Sequence, residues 1–146
     1  MIYEKSCGAV VFRDEVTDEK TQRYVLMIKH SLQSRHSFPK GHVEAGESEV
    51  RTAQREVFEE TSVNIKITEK FRQPVYYRPR PGVKKEVVYF TALTRQTEIC
   101  GREGEVAKVE WVPVEKAIGL LTHGNDKKVL STAIQYMKNK KLSEEK

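Results

Sequence analysis

Three neighbouring glutamates are the residues best suited to chemistry: Glu56, Glu59 and Glu60, in the segment REVFEE. Residues three and four apart share one face of an α-helix, so a helix here brings the three carboxylates together. Like charges at this spacing destabilise a helix, and acidic groups near its C-terminal end oppose its dipole. Because a bound cation offsets both effects, the pattern indicates a site for Mg²⁺ or Mn²⁺. A solvated acidic helix face is the alternative interpretation.

The segment around these glutamates predicts the helix that must position them. Ser48 is the expected N-cap, and Glu49 suits the first turn. Apolar or small residues then recur at spacings of three and four, which gives the helix one buried face. These residues are Val50, Ala53, Val57 and Thr61. The preceding residues 31–47 contain Pro39, Gly41 and Gly46 and are predicted to be a loop.

The rest of the chain predicts strands and two further helices around this segment. Strands are expected over residues 7–12, 24–30, 64–71 and 108–114, and a hairpin over residues 74–94. Its basic turn carries Arg78, Arg80, Lys84 and Lys85. The polar residues 13–23 are expected to be an exposed hairpin loop, and helices are expected over 115–121 and 126–140. The sum is a mixed sheet covered by helices, of the α/β or α+β class.

Length and composition favour a single globular domain over residues 1–146, with 138–146 as a flexible tail. No apolar run approaches the ~20 residues of a membrane span, and the N-terminus lacks the pattern of a signal peptide. Cys7 and Cys100 lack metal-site spacing and are expected to be buried, reduced thiols of a cytoplasmic protein.

Charge is distributed unevenly along the chain. The net charge is +5, yet residues 41–60 carry six glutamates against two arginines, a formal charge of −4. The basic remainder favours an anionic ligand such as a nucleotide.

The same segment resembles the Nudix box, G-x5-E-x7-R-E-U-x-E-E-x-G-U, where U is a bulky aliphatic residue. The spacing agrees over twenty-three positions, from Gly41 through Glu47 and Arg55 to Val63. Ser62 is the one departure, since the pattern has glycine there. That position usually ends the helix in a left-handed conformation, so serine costs about 1 kcal/mol in backbone strain without touching a metal ligand.

The resemblance to Nudix hydrolases implies a fold and a reaction. The fold is an α/β/α sandwich around a mixed sheet, flanked by the box helix and a C-terminal helix. The reaction is attack of water on phosphorus in a nucleoside diphosphate linked to another moiety. The implied metal ligands are Glu56, Glu59, Glu60 and the backbone carbonyl of Gly41. Arg55 and Glu47 are implied to hold the loop to the helix, and Arg55, Glu59 and Glu60 to be catalytic.

Three segments, one that runs into the box and two that lie outside it, resemble the asymmetrical diadenosine tetraphosphate hydrolases within that family. The segments are FPKGHVEAGE, KKEVVYF and GEVAKVEWV. This resemblance implies that Lys85 contacts phosphate, that Tyr89 lies near the nucleotide, and that Glu105 is a further metal ligand or the general base in place of Glu60. Tyr77 is a candidate for stacking on adenine, and Lys40 and His42 beside Gly41 for phosphate contact. Core packing is the alternative for Tyr89, and a charged turn for Lys85.

The expected function is therefore Mg²⁺-dependent cleavage of diadenosine tetraphosphate to ATP and AMP. A nucleoside triphosphate or RNA 5′-end pyrophosphohydrolase is the alternative among enzymes, and a non-catalytic nucleotide- or RNA-binding module is the alternative outside them. We expect a small nucleotide as the partner, with no membrane and no stable nucleic-acid partner, and a monomer or weak dimer.

Overall fold

The computed structural model describes residues 1–30 and 35–142. The strands are β1 Ile2–Thr17, β2 Lys20–His30, β3 His36–Ser37, β4 Lys40–His42, β5 Gln73–Arg80, β6 Val83–Thr94 and β7 Val106–Pro113. The helices are α1 Glu49–Thr61, α2 Val114–Leu120 and α3 Gly124–Met137. In the described part of the chain, no helix is both long and apolar enough to cross a membrane.

β1 is the central strand of one mixed sheet. The sheet has the order β3-β2-β1-β6-β5, with β4 paired to β1 and β7 paired to β2. β1 runs parallel to β6 and antiparallel to β2 and β4. Its apolar run is buried on both faces, as expected of a strand covered on both sides.

Successive residues of β1 point to opposite layers of the core. Val10 and Phe12 pack in the cluster that contains residues of α2 and α3. Ala9 and Val11 pack with Val57 of α1 on the other face. The sheet therefore lies between α1 and the pair α2 and α3, which is the α/β/α sandwich that the resemblance implied.

The polar segment 13–23 forms most of a β-hairpin instead of the expected loop. Only Asp18 and Glu19 remain for the turn, and their φ angles of 49° and 66° are left-handed. Asp14 and Arg23 face each other across the two strands, and Arg23 Nε donates to Asp14 Oδ1 at 2.7 Å. This cross-strand charge pair shows how polar residues can extend a ladder beyond the core.

Residues 64–71 form no strand, which corrects the prediction made from their alternating pattern. Their backbone N–H groups bond to side chains instead of a neighbouring strand. Asn64 N donates to Gln96 Oε1 at 3.1 Å, and Ile67 N donates to Gln54 Oε1 at 3.0 Å. Ile65 and Ile67 still pack against the core, so the alternation reflects burial without a ladder.

Three smaller expectations also differ from the structure. The predicted loop 31–47 contains the short strands β3 and β4, while residues 31–34 lie outside the described residues. The four basic residues expected in the hairpin turn lie within β5 and β6, which leaves Pro81 and Gly82 to form the turn. Cys7 is buried as predicted, but Cys100 is exposed because it lies in the connection after β6. Of the predicted tail, residues 143–146 lie outside the described ranges.

Candidate active site

α1 begins and ends at the residues that the sequence indicates. The Ser48 side chain accepts a hydrogen bond from Arg51 N at 3.1 Å, which satisfies one of the free amides of the first turn. Ser62 ends the helix with φ 65° and ψ 12°, and its N–H donates to Phe58 O. The serine thus adopts the left-handed conformation expected at this position of the box.

Arg55 joins the loop before the helix to the helix itself. Its Nε donates to Glu47 Oε2 at 2.7 Å and its Nη2 donates to His42 O at 3.0 Å. Glu47 also accepts from Thr52 Oγ1 at 2.6 Å. The Arg55 bond is the main reason that the pKa of Glu47 falls to about 2. The geometry agrees with the supporting pair that the resemblance implied.

The same guanidinium also reaches two of the three clustered glutamates. Arg55 Nη1 donates to Glu56 Oε1 at 2.6 Å and to Glu59 Oε1 at 3.0 Å. Arg102 lies 3.8 Å from Glu59 and 3.5 Å from Glu105, so it stands between the helix and the Glu105 loop. Arg55 and Arg102 therefore balance much of the negative charge of these glutamates.

Gly41 of β4 lies directly against the Glu56 carboxylate. A Cβ atom at position 41 would overlap the carboxylate carbon and oxygens of Glu56. β4 is held there by pairing with β1, in which Gly41 faces Cys7. Glycine at this position therefore lets the Glu56 carboxylate lie where it does, because a larger residue would displace that carboxylate.

Glu60 is the buried member of the glutamate cluster. It is 4% exposed, and its Oε1 accepts from Lys40 N at 2.8 Å. Burial raises the pKa of Glu60 to about 7, and the nearby carboxylates of Glu56 and Glu105 raise it further against the Lys40 bond. The three acidic groups are therefore close enough to disfavour one another's charge.

The described residues contain no group of three His, Cys, Asp or Glu side chains already arranged to hold a metal ion. Arg55 draws Glu56 and Glu59 to one side, and Glu60 turns to the Lys40 amide. The donor set nevertheless fits a hard divalent cation, because it consists of carboxylates beside a glycine backbone. Burial is the main cause of the raised pKa of Glu60, and the carboxylates of Glu56 and Glu105 add to it.

A cleft of about 550 Å³ opens beside the glutamates. Its walls come from β2, β3, β5 and β6, from Lys40 in β4 and from the start of α3. The lining residues are His30, Arg35, His36, Ser37, Lys40, Val75, Tyr77, Pro79, Lys85, Val87, Tyr89, His123, Asn125 and Asp126. Lys40 connects the two regions, since its backbone bonds Glu60 and its side chain lines the cleft.

Four of the five predicted substrate-binding residues line this cleft: Lys40, Tyr77, Lys85 and Tyr89. Tyr89 is only 2% exposed and packs edge-on against Phe38 at 5.7 Å, so it forms a wall. Tyr77 is 38% exposed. His42 does not line the cleft, and its carbonyl instead accepts from Arg55.

The two cleft lysines are held in a partly dehydrated environment. Burial lowers the pKa of Lys40, although Asp126 and Glu60 oppose that effect. Burial also lowers the pKa of Lys85, and the charge of Lys40 lowers it further. Two cations that repel each other in a cleft form a natural site for an anion such as a polyphosphate.

Sequence reasoning missed several residues of the cleft, above all Asp126. This carboxylate lies in the first turn of α3. Burial raises its pKa, while Lys40, His123 and Arg35 act in the opposite direction. The segment HGND indicates a helix start, but nothing local in it indicates that this helix end faces the cleft.

Comparison with known proteins identifies the family. The family model for the NUDIX domain matches residues 6–133. The asymmetrical bis(5′-nucleosyl)-tetraphosphatase of Mus musculus is 29% identical over 142 residues, which cover 91% of this chain and 95% of that protein. The 8-oxo-(d)GTP phosphatase of Mycolicibacterium smegmatis is 30% identical over 131 residues. The chain spans 40% of the length of that protein, and 55% of a second mycobacterial relative.

Solved structures show the same fold. The Ap4A hydrolase of C. elegans in a binary complex superposes with a TM-score of 0.78 at 24% identity, covering 92% of this chain and 98% of that one. The family match extends over most of the chain, including the glutamate helix and the cleft. The protein therefore belongs to the Nudix hydrolase family.

Proposed function

We propose that this protein hydrolyses dinucleoside polyphosphates in a reaction that depends on Mg²⁺ or Mn²⁺, and that it cleaves diadenosine tetraphosphate asymmetrically to ATP and AMP. The observation that carries this proposal is the junction at Lys40. The glutamate cluster and a cationic cleft of about 550 Å³ meet there. A nucleotide lying in the cleft extends its phosphates towards the carboxylates.

The cation belongs among Glu56, Glu59, Glu60 and the carbonyl of Gly41, with Glu105 as a further candidate ligand. When bound, a divalent cation neutralises phosphate charge and lowers the pKa of water. Arg55 orients the glutamates through its bonds to Glu56 and Glu59.

The remaining side chains bind the substrate and move the proton. Lys40 and Lys85 hold the phosphate chain, and Tyr77 stacks on a base. Glu60 and Glu105 are the two candidates to accept the proton of the attacking water. The water oxygen forms a new bond to phosphorus, and the bond from that phosphorus to the bridging oxygen breaks. ATP and AMP leave as the two products.

Two groups of relatives support different substrates. The mammalian tetraphosphatases match this chain over nearly their full length, which favours a dinucleoside tetraphosphate. The mycobacterial 8-oxo-(d)GTP phosphatase favours a nucleoside triphosphate as the second candidate. Hydrolysis of either substrate would use the same metal-binding glutamates. The cleft therefore decides which of the two substrates is preferred.

A substrate panel tests the proposal. We expect turnover of diadenosine tetraphosphate with Mg²⁺ to be faster than turnover of ATP, dGTP, 8-oxo-dGTP, ADP-ribose or triphosphate-ended RNA, with ATP and AMP as the products separated by chromatography. Faster release of pyrophosphate from a triphosphate or from RNA would contradict the proposed substrate but would still agree with metal binding by the glutamates. No turnover of any compound would point to a non-catalytic binding module.

A further inference from the structure

Two exposed tyrosine rings lie outside the cleft, at one end of the sheet. Tyr3 is 71% exposed and Tyr76 is 55% exposed. Tyr3 pairs with Lys84 across β1 and β6, and Tyr76 pairs with Glu86, two residues further along β6. Because side chains two apart on a strand share a face, both rings lie on the same face of the sheet as Lys84. We call Tyr3, Tyr76, Lys84 and the neighbouring Arg78 the tyrosine platform.

The β5–β6 hairpin carries a tyrosine and a lysine on each of its two faces. Tyr77 and Lys85 line the cleft. Their neighbours Tyr76 and Lys84 therefore point to the opposite face. There, Lys84 Nζ lies 5.7 Å from the ring centre of Tyr76 and equally far from that of Tyr3. The platform thus combines aromatic rings with a cation on a surface that is separate from the cleft.

The cations of the platform are not neutralised by the part of the chain that the structure describes. Neither Lys84 nor Arg78 forms an ion pair there. The Glu86 carboxylate on the same face is already engaged, since it accepts from Tyr76 Oη at 2.9 Å and lies 3.7 Å from Lys5 Nζ. Uncompensated positive charge at an exposed surface favours an anionic partner.

A second copy of this chain is a poor partner for the platform. β5 is at the edge of the described sheet, where a further strand could pair. Pro74 and Pro79 lack the N–H groups that such a ladder needs, and Arg78 and Arg80 add like charges to the same edge. Prolines and charged side chains at a sheet edge act against pairing between copies.

A single-stranded nucleic acid matches both features of the platform. Its bases have flat faces that stack on tyrosine rings, and each of its phosphates carries a negative charge that lysine or arginine can neutralise. A double helix hides its base faces and offers only its phosphates. An anionic membrane also offers charge, but it provides no flat ring for the tyrosines.

We propose that the tyrosine platform binds single-stranded nucleic acid, with bases stacked on Tyr3 and Tyr76 and phosphates held by Lys84 and Arg78. The hydrogen bond from Tyr76 to Glu86 orients one ring before a base arrives, which reduces the entropy lost on binding. The four residues come from three strands. Their grouping is therefore not visible in the sequence, from which no stable nucleic-acid partner is expected.

Fluorescence anisotropy with a labelled RNA of about eight nucleotides tests the inference, since aromatic single-strand sites span several nucleotides. The RNA has mixed sequence and a 5′-hydroxyl, and divalent cations are left out so that nothing is hydrolysed. We expect the single strand to bind about tenfold more tightly than a duplex of the same sequence, because only the single strand can stack. Two phosphate contacts predict that log Kd rises with log salt concentration with a slope of about 1.4.

Four variants locate the binding surface. Tyr3→Leu combined with Tyr76→Leu should raise Kd by about tenfold or more, since both stacking rings are lost. Lys84→Gln should lower the salt slope to about 0.7, because one phosphate contact is lost. Tyr77→Leu removes a ring from the opposite face of β5, and Lys20→Gln removes a charge from an exposed position at the other end of β1. These two matched controls should leave Kd nearly unchanged.

Several results would overturn the inference. Equal binding of the duplex and the single strand would do so, as would an unchanged Kd in the double tyrosine variant. Loss of binding in Tyr77→Leu but not in the double variant would place the RNA in the cleft instead. Binding of phosphatidylserine vesicles without binding of RNA would assign the platform to a membrane surface. None of these measurements depends on which phosphate compound the protein hydrolyses.

Discussion

At the scale of single residues, the contact between Gly41 and Glu56 determines where the Glu56 carboxylate can lie. Gly41→Ala puts a methyl group where the Glu56 carboxylate lies, so the carboxylate must move. We expect turnover to fall by about 10- to 100-fold, as when a metal ligand is misplaced by its neighbours. Steady-state assays of diadenosine tetraphosphate cleavage provide the measurement.

Gly119→Ala is the matched control. Position 119 lies in α2 with open space around it, so alanine fits and the helix gains about 0.5–1 kcal/mol. Equal activity of Gly41→Ala and the unaltered protein would show that Glu56 does not need its present position.

Lys85 and Lys84 form a second matched pair, since adjacent residues of a strand point to opposite faces. Lys85 lines the cleft, whereas Lys84 lies 5.7 Å from the ring centres of Tyr3 and Tyr76 outside it. We expect Lys85→Gln to raise KM for the tetraphosphate by about tenfold, since a charged hydrogen bond is lost. Lys84→Gln should change KM by less than about twofold. Similar KM values for both variants would contradict the proposal that Lys85 contacts the phosphates.

At single residues, the family resemblance implies the pair of Glu47 and Arg55, and the structure contains the bond between them. Asp126 was not predicted, because its position depends on where α3 docks against β5 and β6. The sequence allows Tyr89 either core packing or nucleotide contact, and its edge-on contact with Phe38 belongs to the folded core.

At the scale of elements, the start of α1 is tied to β1 and to the irregular segment 64–72 by a charge cluster. Glu49 accepts from Arg72 Nε at 2.9 Å and lies 2.6 Å from Lys5 Nζ. The Arg72 bond is the largest favourable cause that lowers the pKa of Glu49 from 4.5 to about 2. The cluster holds the helix whose other end carries Glu56, Glu59 and Glu60, the glutamates proposed to bind the metal.

This cluster predicts how stability depends on pH. A carboxylate whose folded pKa is depressed stabilises the fold above its unfolded pKa, and this contribution disappears as the pH falls from about 4.5 towards 2. Glu49→Gln should lower the free energy of unfolding at pH 7 by about 1 kcal/mol, because the pair is partly exposed. Its loss of stability below pH 4.5 should also be smaller than that of the unaltered protein.

Urea unfolding at pH 7, 4.5 and 3 measures both effects, with Glu98→Gln as the control at an exposed position. Parallel pH profiles for Glu49→Gln and the unaltered protein would contradict the role of this cluster.

Elements with strong periodicity could be predicted, and those shaped by side-chain bonding could not. α1 and the β5–β6 hairpin lie where the sequence indicates. Residues 64–71 alternate like a strand. Their backbone amides at Asn64 and Ile67 nevertheless donate to the side chains of Gln96 and Gln54 and not to a neighbouring strand. Residues 13–23 look like a loop, yet Asp14 and Arg23 pair as strand neighbours. Glutamines outside the segment decide the first outcome, and a charge pair between its two strands accompanies the second.

At the scale of the whole molecule, the fold brings opposite charges to one junction. Glu60 of α1 accepts a hydrogen bond from the backbone of Lys40 in β4. The cations Lys40 and Lys85, the latter in β6, line the cleft beside it. The sequence predicts the sandwich through family resemblance, whereas the parallel pairing of β1 with β6 joins residues about eighty positions apart. Local patterns do not carry that information.

The most direct test of this account compares the unaltered protein with Glu59→Gln. Diadenosine tetraphosphate is incubated with each protein, with and without Mg²⁺, and the products are separated. We expect the unaltered protein to form ATP and AMP only with the cation, and Glu59→Gln to lose more than about 100-fold in rate while keeping its circular dichroism spectrum. Undiminished turnover by Glu59→Gln, or turnover by the unaltered protein without a divalent cation, would contradict the proposal that the glutamate cluster holds a catalytic metal ion.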